Sequence, residues 1–290
     1  VEITWNTIPG ASYYKLFQSY TNDPATSSPI TAWTTSTSKT HSPVRGVYSY
    51  YWVKAATTIT GNMETGFGQG DAGWRKLEAV QNVNARDGES ADHIRITWNN
   101  QTYADYYKVY RSTINASFSN AIPITTWIEE LSYNDSTAPA PQDCWYWVLC
   151  AKDPQLESLP GTCDLGWRKL FPPEVDATDG LYANKVVVTW DPVPGANSYR
   201  VFRGPGYGPF INDTLTGWSS TLNYQYQDYS AVQGQDYYYL VKAAYNNYGY
   251  KPSDTGYDQG RADECANFAE YPDPSYRGLD LRGSVLEISH

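Results

Sequence analysis

Short stretches in which apolar and polar residues alternate, separated by turn residues, run along the whole chain. VEITW and IRITW are two such strings, and they end at Trp5 and Trp98. Alternation with a period of two is typical of a β-strand that buries one face, and no stretch has the period of a helix. Pro-Gly-Ala at residues 9–11 and Asp-Gly at residues 87–88 supply turns between strands. The pattern predicts an all-β protein made of β-sandwiches.

The strand-like strings recur three times in the same order. VEITW, IRITW and VVVTW end at Trp5, Trp98 and Trp190, which are 93 and 92 residues apart. Each copy closes with an Asp-x-Gly step, whose acidic residue we interpret as a former of turns or bulges. These steps begin at Asp71, Asp164 and Asp258. Recurrence at this spacing predicts three homologous domains joined by short linkers in a rod with limited bending. The predicted domains are residues 1–77, 78–170 and 171–264, followed by a tail at 265–290.

Three of the repeated motifs together resemble fibronectin type III domains. They are the Trp of the second strand, Tyr-x-Val-[Tyr/Phe]-Arg on the third strand and Tyr-Tyr-x-Val-Lys-Ala on the sixth. The likeness is greatest to the bacterial extracellular variety and covers residues 1–262. It implies three tandem fibronectin type III-like sandwiches. It implies little about function, because this fold serves adhesins, receptors, spacers and enzyme accessories alike. The first copy departs from the pattern, with Thr40 where the others have Asp135 and Asp228.

The first copy lacks the segment that supplies the first strand of the other two copies. We therefore expect the first sandwich to lack its N-terminal strand and to present an apolar groove with an unpaired strand edge. The predicted acceptor residues are Val1, Ile3 and Trp5. A strand-like surplus lies near the other end of the sequence, where Leu279–Gly283 is similar to Val175–Gly180. The predicted donor residues are Leu279, Leu281, Val285, Leu286 and Ile288.

Two interpretations of this complementarity stay open. In the first, the tail of one copy fills the open first sandwich of the next copy by strand addition, and head-to-tail repetition makes a filament. In the second, the sequence is a fragment of a longer array and the tail begins a fourth repeat. Seven residues separate Gly283 from His290, whereas ten separate Gly180 from Trp190, so the tail is an imperfect start of a repeat.

The four cysteines suggest an oxidising setting. Cys150 lies on the sixth strand of the second copy and Cys163 on its expected seventh strand, which predicts a disulfide across that hairpin. Cys144 is six residues before Cys150 on the same strand, too far along it to pair with it. A bond from Cys144 to Cys265 and two free thiols remain as alternatives for the other pair. The compartment we predict is extracellular or the cell surface.

Composition and charge exclude several classes of function. The net charge of −10 argues against a nucleic-acid partner, which needs Lys and Arg at the phosphates. Three histidines leave little material for acid–base chemistry or metal sites, and no catalytic or phosphate-loop motif occurs. No apolar run approaches the roughly 18 residues of a membrane span. We predict no enzyme activity, no cofactor and no metal.

Tyrosines and glycosylation sequons are the remaining candidates for binding. Exposed tyrosines that do not recur between copies could stack on surface glycans, bury in a subunit interface or form cross-strand pairs. Those singled out in the third copy are Tyr207, Tyr245, Tyr248 and Tyr250. Asn-x-Ser/Thr sequons stand at Asn100, Asn115, Asn134 and Asn212. Each sequon is a weak signal in a sequence rich in Ser, Thr and Asn.

The functional prediction is a secreted, non-enzymatic structural protein that forms a filament or surface layer with copies of itself. Two alternatives stay open. One is an adhesin or glycan-binding stalk that uses the tyrosines. The other is a spacer from a larger secreted enzyme whose catalytic part lies outside these residues.

Overall fold

The computed structural model describes residues 1–205, 213–221 and 223–263, and within them the protein is built of antiparallel β-sheets. The chain divides into two compact units. The first unit holds Val1–Ala85, Arg95–Asp135 and Cys144–Leu165, and the described part of the second holds Arg86–Ile94, Ser136–Asp143 and 166–263. These boundaries differ from the predicted ones, and the division into three domains stays a prediction. The same pair of sheets nevertheless recurs in each predicted repeat.

The first repeat contains a sheet of two strands and a sheet of four. Its strands are β1 (Glu2–Thr4), β2 (Tyr13–Ser19), β3 (Ser28–Pro29), β4 (Ser38–Thr40), β5 (Tyr48–Ala56) and β6 (Asp71–Trp74), with a 3-10 turn at Pro24–Thr26. The sheet orders are β1-β4 and β3-β2-β5-β6. Asp23 caps the 3-10 turn because its side chain accepts a hydrogen bond from the Ala25 N–H.

The second repeat adds one strand to this arrangement. Its strands are β7 (Asn84–Ala85), β8 (Ile94–Thr97), β9 (Tyr106–Ser112), β10 (Ile122–Pro123), β11 (Ser132–Asp135), β12 (Cys144–Ala151) and β13 (Asp164–Gly166), with a 3-10 turn at Phe118–Asn120. The sheet orders are β11-β8-β7 and β10-β9-β12-β13. Strand β7 therefore lies at the edge of the smaller sheet, beside β8.

The third repeat has the same seven-strand arrangement. Its strands are β14 (Val175–Ala177), β15 (Val186–Trp190), β16 (Ser198–Gly204), β17 (Asp213–Thr214), β18 (Gln225–Asp228), β19 (Asp236–Ala244) and β20 (Gly256–Arg261). The sheet orders are β14-β15-β18 and β17-β16-β19-β20. Strand β14 occupies the place that β7 has in the second repeat.

The register of the four-stranded sheets explains why the repeated motifs share one spacing. The central antiparallel pair places Leu16 opposite Val53, and it places Val201 opposite Val241 in the third repeat. Leu16 and Val201 are fully buried. Because side chains of a strand alternate between two faces, the residues two positions away also point inward, which fixes the Tyr-x-Val pattern. The predicted all-β, sandwich-type fold is thus confirmed.

The predicted disulfide between Cys150 and Cys163 is not formed in the structure, where both are free cysteines. The Cys150 Sγ donates a hydrogen bond to the Glu78 carbonyl oxygen at 3.6 Å, and burial raises the pKa of this thiol. Cys163 lies just outside the hairpin ladder, because β13 begins one residue later. Cys144 is buried, and Cys265 lies outside the described residues, so their pairing stays a prediction.

Candidate functional site

An open groove marks the first repeat. It has a volume of about 400 Å³ and is lined by residues of β1, β2, β5 and β6. The predicted acceptor residues Val1, Ile3 and Trp5 all line it, and Leu16 and Val53 contribute apolar side chains from the larger sheet. The predicted groove is therefore present in the described structure.

Strands β7 and β14 cover the positions in the other repeats that correspond to this groove. Ile96 and Val188, which occupy the position of Ile3, are fully buried beneath them. Ile3 itself is only half-buried. Two other positions differ in the same way. Trp5 and Val53 are half-buried, whereas their counterparts in the other repeats are buried, namely Trp98 and Trp190 for the first and Val148 and Val241 for the second. The first repeat thus leaves apolar core positions partly exposed that β7 and β14 cover in the other two repeats.

The aspartate of each Asp-x-Gly step holds the covering strand. Asp164 Oδ2 accepts a hydrogen bond from the Ala85 N–H of β7 at 2.9 Å. Asp258 Oδ2 accepts the corresponding bond from the Ala177 N–H of β14, also at 2.9 Å. Asp71, the corresponding residue of the first repeat, is exposed, and its Oδ1 accepts the N–H of the adjacent Ala72 at 2.8 Å.

The interpretation of these aspartates as turn formers missed this contact. The two partners are separated by 79 residues in the second repeat and by 81 in the third. Such a bond leaves no local trace in the sequence. The available signal was recurrence, because an acidic residue that stands two positions before a glycine in every repeat indicates a structural role that the repeats share.

The glycine of the same step makes room for the covering strand. A Cβ atom placed on Gly260 would lie 2.9 Å from the Ala177 Cβ of β14 and 2.8 Å from Val186 Cγ1, so any larger residue would collide with both strands. On Gly73 of the first repeat, a Cβ atom would meet the Val1 side chain at 2.9 Å. The contact of Gly73 with Val1 thus corresponds to the contact of Gly260 with Val186.

A buried ionic cluster supports the smaller sheet in the second and third repeats. Asp228 accepts hydrogen bonds from the Tyr239 hydroxyl at 2.9 Å and from the Arg203 guanidinium at 2.8 Å. Burial alone raises the pKa of Asp228, but bonds from Ser230 and Tyr239 and the charge of Arg203 more than offset it. The pKa is therefore held below its usual range. Asp135 has the same relation to Tyr146 and Arg111.

The first repeat replaces this cluster with neutral groups. The Tyr51 hydroxyl lies 3.0 Å from His41 Nδ1, and burial lowers the pKa of His41. The backbone of His41 pairs with Val1, as that of Asp228 pairs with Val186. His41 therefore occupies the aspartate position, and the assignment of Thr40 to it was wrong by one residue.

The structure places three of the four predicted binding residues of the third repeat in one exposed hairpin loop. Tyr248 is 93% exposed, and Tyr245 and Tyr250 are about half exposed. The loop is closed by a hydrogen bond from the Tyr245 N–H to the Tyr250 carbonyl oxygen at 3.0 Å. Tyr207 lies outside the described residues.

The sequons are dispersed, and their glycosylation stays a prediction. The side chains of Asn100, Asn115 and Asn134 belong to exposed residues. The Asn100 side-chain oxygen accepts a hydrogen bond from the Tyr107 hydroxyl at 2.7 Å. Asn212 lies outside the described residues, as do the donor residues Leu279, Leu281, Val285, Leu286 and Ile288.

No group of three or more His, Cys, Asp or Glu side chains is arranged to hold a metal ion in residues 1–205, 213–221 and 223–263. Across the same described residues, none of the helices has the length and apolar character needed to cross a bilayer.

Comparison with solved structures finds similar chains, three of which are fibronectin type III structures by their descriptions. A two-domain fibronectin type III segment of chicken tenascin has 18% sequence identity, covers 63% of this chain and 98% of its own, and has a TM-score of 0.44. A Fn3-like protein from Clostridium thermocellum has 22% identity, covers 32% and 93%, and has a TM-score of 0.29. The FN1–FN3 domains of chicken CNTN1 have 14% identity, cover 90% and 94%, and have a TM-score of 0.27.

The chain is similar to tandem fibronectin type III domains. No protein-family model and no curated protein matches it. The fold assignment rests on the strand order described above, and the predicted likeness to the bacterial extracellular variety stays a prediction. We call the three sequence repeats fibronectin type III-like repeats from here on.

Proposed function

We propose that this protein is a secreted, non-enzymatic structural protein whose copies join head to tail. The C-terminal tail of one copy adds a strand beside β1 in the first repeat of the next copy. The observation that carries the proposal is the groove at the position that β7 and β14 cover in the other repeats. Because the two ends of such a contact are different surfaces, repetition without closure gives a filament.

The tail carries the residue pattern that the groove requires. In β14, Val175 is half-buried, Asp176 is exposed and Ala177 is buried. The tail offers Leu279, Asp280 and Leu281 in the same order of apolar, acidic and apolar side chains. Strand addition supplies main-chain hydrogen bonds to an edge and pockets for alternate side chains.

Burial of the two leucines gives the contact a usable affinity. Full burial of a leucine side chain contributes about 1.5–3 kcal/mol, so the pair contributes about 3–6 kcal/mol before entropic costs. The larger size of Leu281 relative to the alanine of β14 is accommodated by the open volume of about 400 Å³. A cavity of about 150 Å³ already admits a benzene-sized group.

Electron microscopy of the purified protein tests the proposal. We expect filaments from the full chain and none from a chain that lacks residues 266–290. A full-length chain with Leu279→Asp and Leu281→Asp should also remain monomeric, because two charges would have to enter the apolar groove. The matched control is Asp280→Ser, which changes the outward-facing residue and should still form filaments. Filaments from the shortened chain, or monomers in every sample, would contradict the proposal.

A second candidate function is glycan binding by the third repeat. It is supported by the exposed rings of Tyr245, Tyr248 and Tyr250 in a single loop. Exposed tyrosines stack on sugar rings through an apolar face while the hydroxyl stays in water. A glycan array should show binding that disappears when all three are changed to alanine. Equal binding by the changed and unchanged proteins would exclude this use of the loop.

A further inference from the structure

We propose that Asp71 sets the register of the strand that enters the groove by accepting the backbone N–H of Leu281. The inference rests on the proposed function and deepens it, because it names the residue that decides which segment fits. Asp71 is the aspartate of the Asp-x-Gly step in the first repeat. Its counterparts Asp164 and Asp258 each accept a hydrogen bond from one backbone N–H of the covering strand.

The register of the other repeats identifies the N–H that Asp71 would receive. Ala177 of β14 lies opposite Val188, and Ala85 of β7 lies opposite Ile96. In both repeats it is this alanine, opposite Val188 or Ile96, that donates its N–H to the aspartate. The corresponding position in the first repeat is Ile3, so an incoming strand in the same register places its second apolar residue there.

Leu281 meets this requirement when the tail is placed on the pattern of β14. Leu279 then lies opposite Trp5, Asp280 opposite Thr4 and Leu281 opposite Ile3. A slip of one residue would turn Asp280 toward the apolar groove, because alternate side chains point to opposite faces. The likeness to the third repeat ends there, since Gly283 follows Leu281 by two residues whereas Gly180 follows Ala177 by three.

Asp71 is available for this role in the described structure. It is exposed at the groove, and its Oδ1 atom is held by the adjacent Ala72 N–H at 2.8 Å. In the other repeats the strand N–H binds the Oδ2 atom. The Ala72 N–H therefore engages one carboxylate oxygen of Asp71, and we assign the incoming N–H to the other, Oδ2. A hydrogen bond to a charged group strengthens binding by about 10- to 100-fold in the dissociation constant.

The inference also defines what a donor strand must contain. It needs two apolar residues separated by one outward-facing residue, and a free N–H on the second apolar residue. Proline at that second position would be excluded because it has no N–H. The strand of β14 satisfies these conditions as well as the tail does, so a peptide of residues 173–183 should bind the groove too.

Peptide binding to a full-length chain tests the inference. The chain carries Leu279→Asp and Leu281→Asp so that its own tail does not compete. Two labelled peptides, residues 277–284 and residues 173–183, are each made with a normal amide and with an ester that removes the N–H of Leu281 or Ala177. Fluorescence anisotropy should give a 10- to 100-fold preference for the amide. The preference should vanish in Asp71→Ala and persist in Glu2→Ala, which removes an exposed carboxylate of β1.

The outcomes separate this inference from the proposed function. Binding of the tail peptide with an amide preference that survives Asp71→Ala would support strand donation and overturn the role of Asp71. Asp71-dependent binding of the β14 peptide, with no binding of the tail peptide, would support the role of Asp71 and overturn donation by the tail. Failure of both peptides to bind would overturn both.

Discussion

Replacement of Tyr239 by phenylalanine isolates one bond of the buried cluster in the third repeat. The Tyr239 hydroxyl donates to Asp228 Oδ2 at 2.9 Å, and both residues are buried. Phenylalanine fills the same space, so Tyr239→Phe removes the hydrogen bond without opening a cavity. Tyr51→Phe is the matched change in the first repeat, where the Tyr51 hydroxyl is paired with His41 Nδ1 at 3.0 Å.

The charge of the hydroxyl's partner decides how much stability each change to phenylalanine costs. Hydrogen bonds to charged groups contribute about 1.5–3 kcal/mol and those to neutral groups about 0.5–1.5 kcal/mol. Asp228 keeps Arg203 and Ser230 as partners, so we expect Tyr239→Phe to cost about 1.5–2 kcal/mol. Burial lowers the pKa of His41, which keeps it neutral at pH 7, so Tyr51→Phe should cost about 1 kcal/mol or less.

Hydrogen exchange of the full chain, read by mass spectrometry, measures the two costs separately. A chain with several sandwiches need not unfold in one step, so a single free energy of unfolding does not describe it. Hydrogen exchange instead measures the stability of each region. Peptides from β16 and β19 should exchange about 10- to 30-fold faster in Tyr239→Phe. Peptides from β2 and β5 should change about fivefold or less in Tyr51→Phe. Equal effects of the two changes, or no effect of Tyr239→Phe, would refute the reasoning.

Three further outcomes follow from buried contacts, each read by hydrogen exchange. Lys251→Met removes a buried ammonium that binds Asp143 at 2.6 Å, and should destabilise peptides around both residues by about 1–3 kcal/mol; unchanged exchange would contradict this. Asp258→Ala removes the acceptor of the Ala177 N–H and should speed exchange of β14 about tenfold or more, while β7 stays protected. The lowered pKa of Asp228 means that its stabilisation is present above its ordinary pKa of about 3.9 and is lost as pH falls through the folded value. The cost of Asp228→Asn should therefore shrink below about pH 4, and a cost that grows on acidification would contradict the sign.

The repeated alternation in the sequence was sufficient to predict the sandwich strands, because each strand buries one face over a few consecutive residues. The groove followed from the same comparison of copies, since strands β7 and β14 cover the corresponding positions in the second and third repeats. Val1, Ile3 and Trp5 were assigned to it because the corresponding strings of the other two copies follow the segment that supplies the first strand. These predictions depended only on local patterns and on their recurrence.

The contacts that the sequence did not predict join residues far apart in the chain. Lys251 binds Asp143 across 108 residues, and Asp258 binds the Ala177 N–H across 81. Nothing in the neighbourhood of either residue indicates its partner. The predicted disulfide is not formed for a related reason. The sequence places Cys150 and Cys163 near adjoining strands, but it does not show whether Cys163 lies within the hydrogen-bonded part of the hairpin. The backbone of Cys163 precedes β13 by one residue.

Cross-linking between two variants tests the central claim most directly. One copy carries Ile3→Cys and the other Leu281→Cys, both with Cys265→Ser so that the tail has no other thiol. Residues directly opposite in an antiparallel pair have Cα atoms about 4.5–5.5 Å apart, within the range of a disulfide. Oxidation of the mixture should give a covalent dimer linking these two positions, identified by mass spectrometry. Replacing Leu281→Cys with Asp280→Cys should abolish it; equal yields from both mixtures, or no dimer from either, would contradict strand donation.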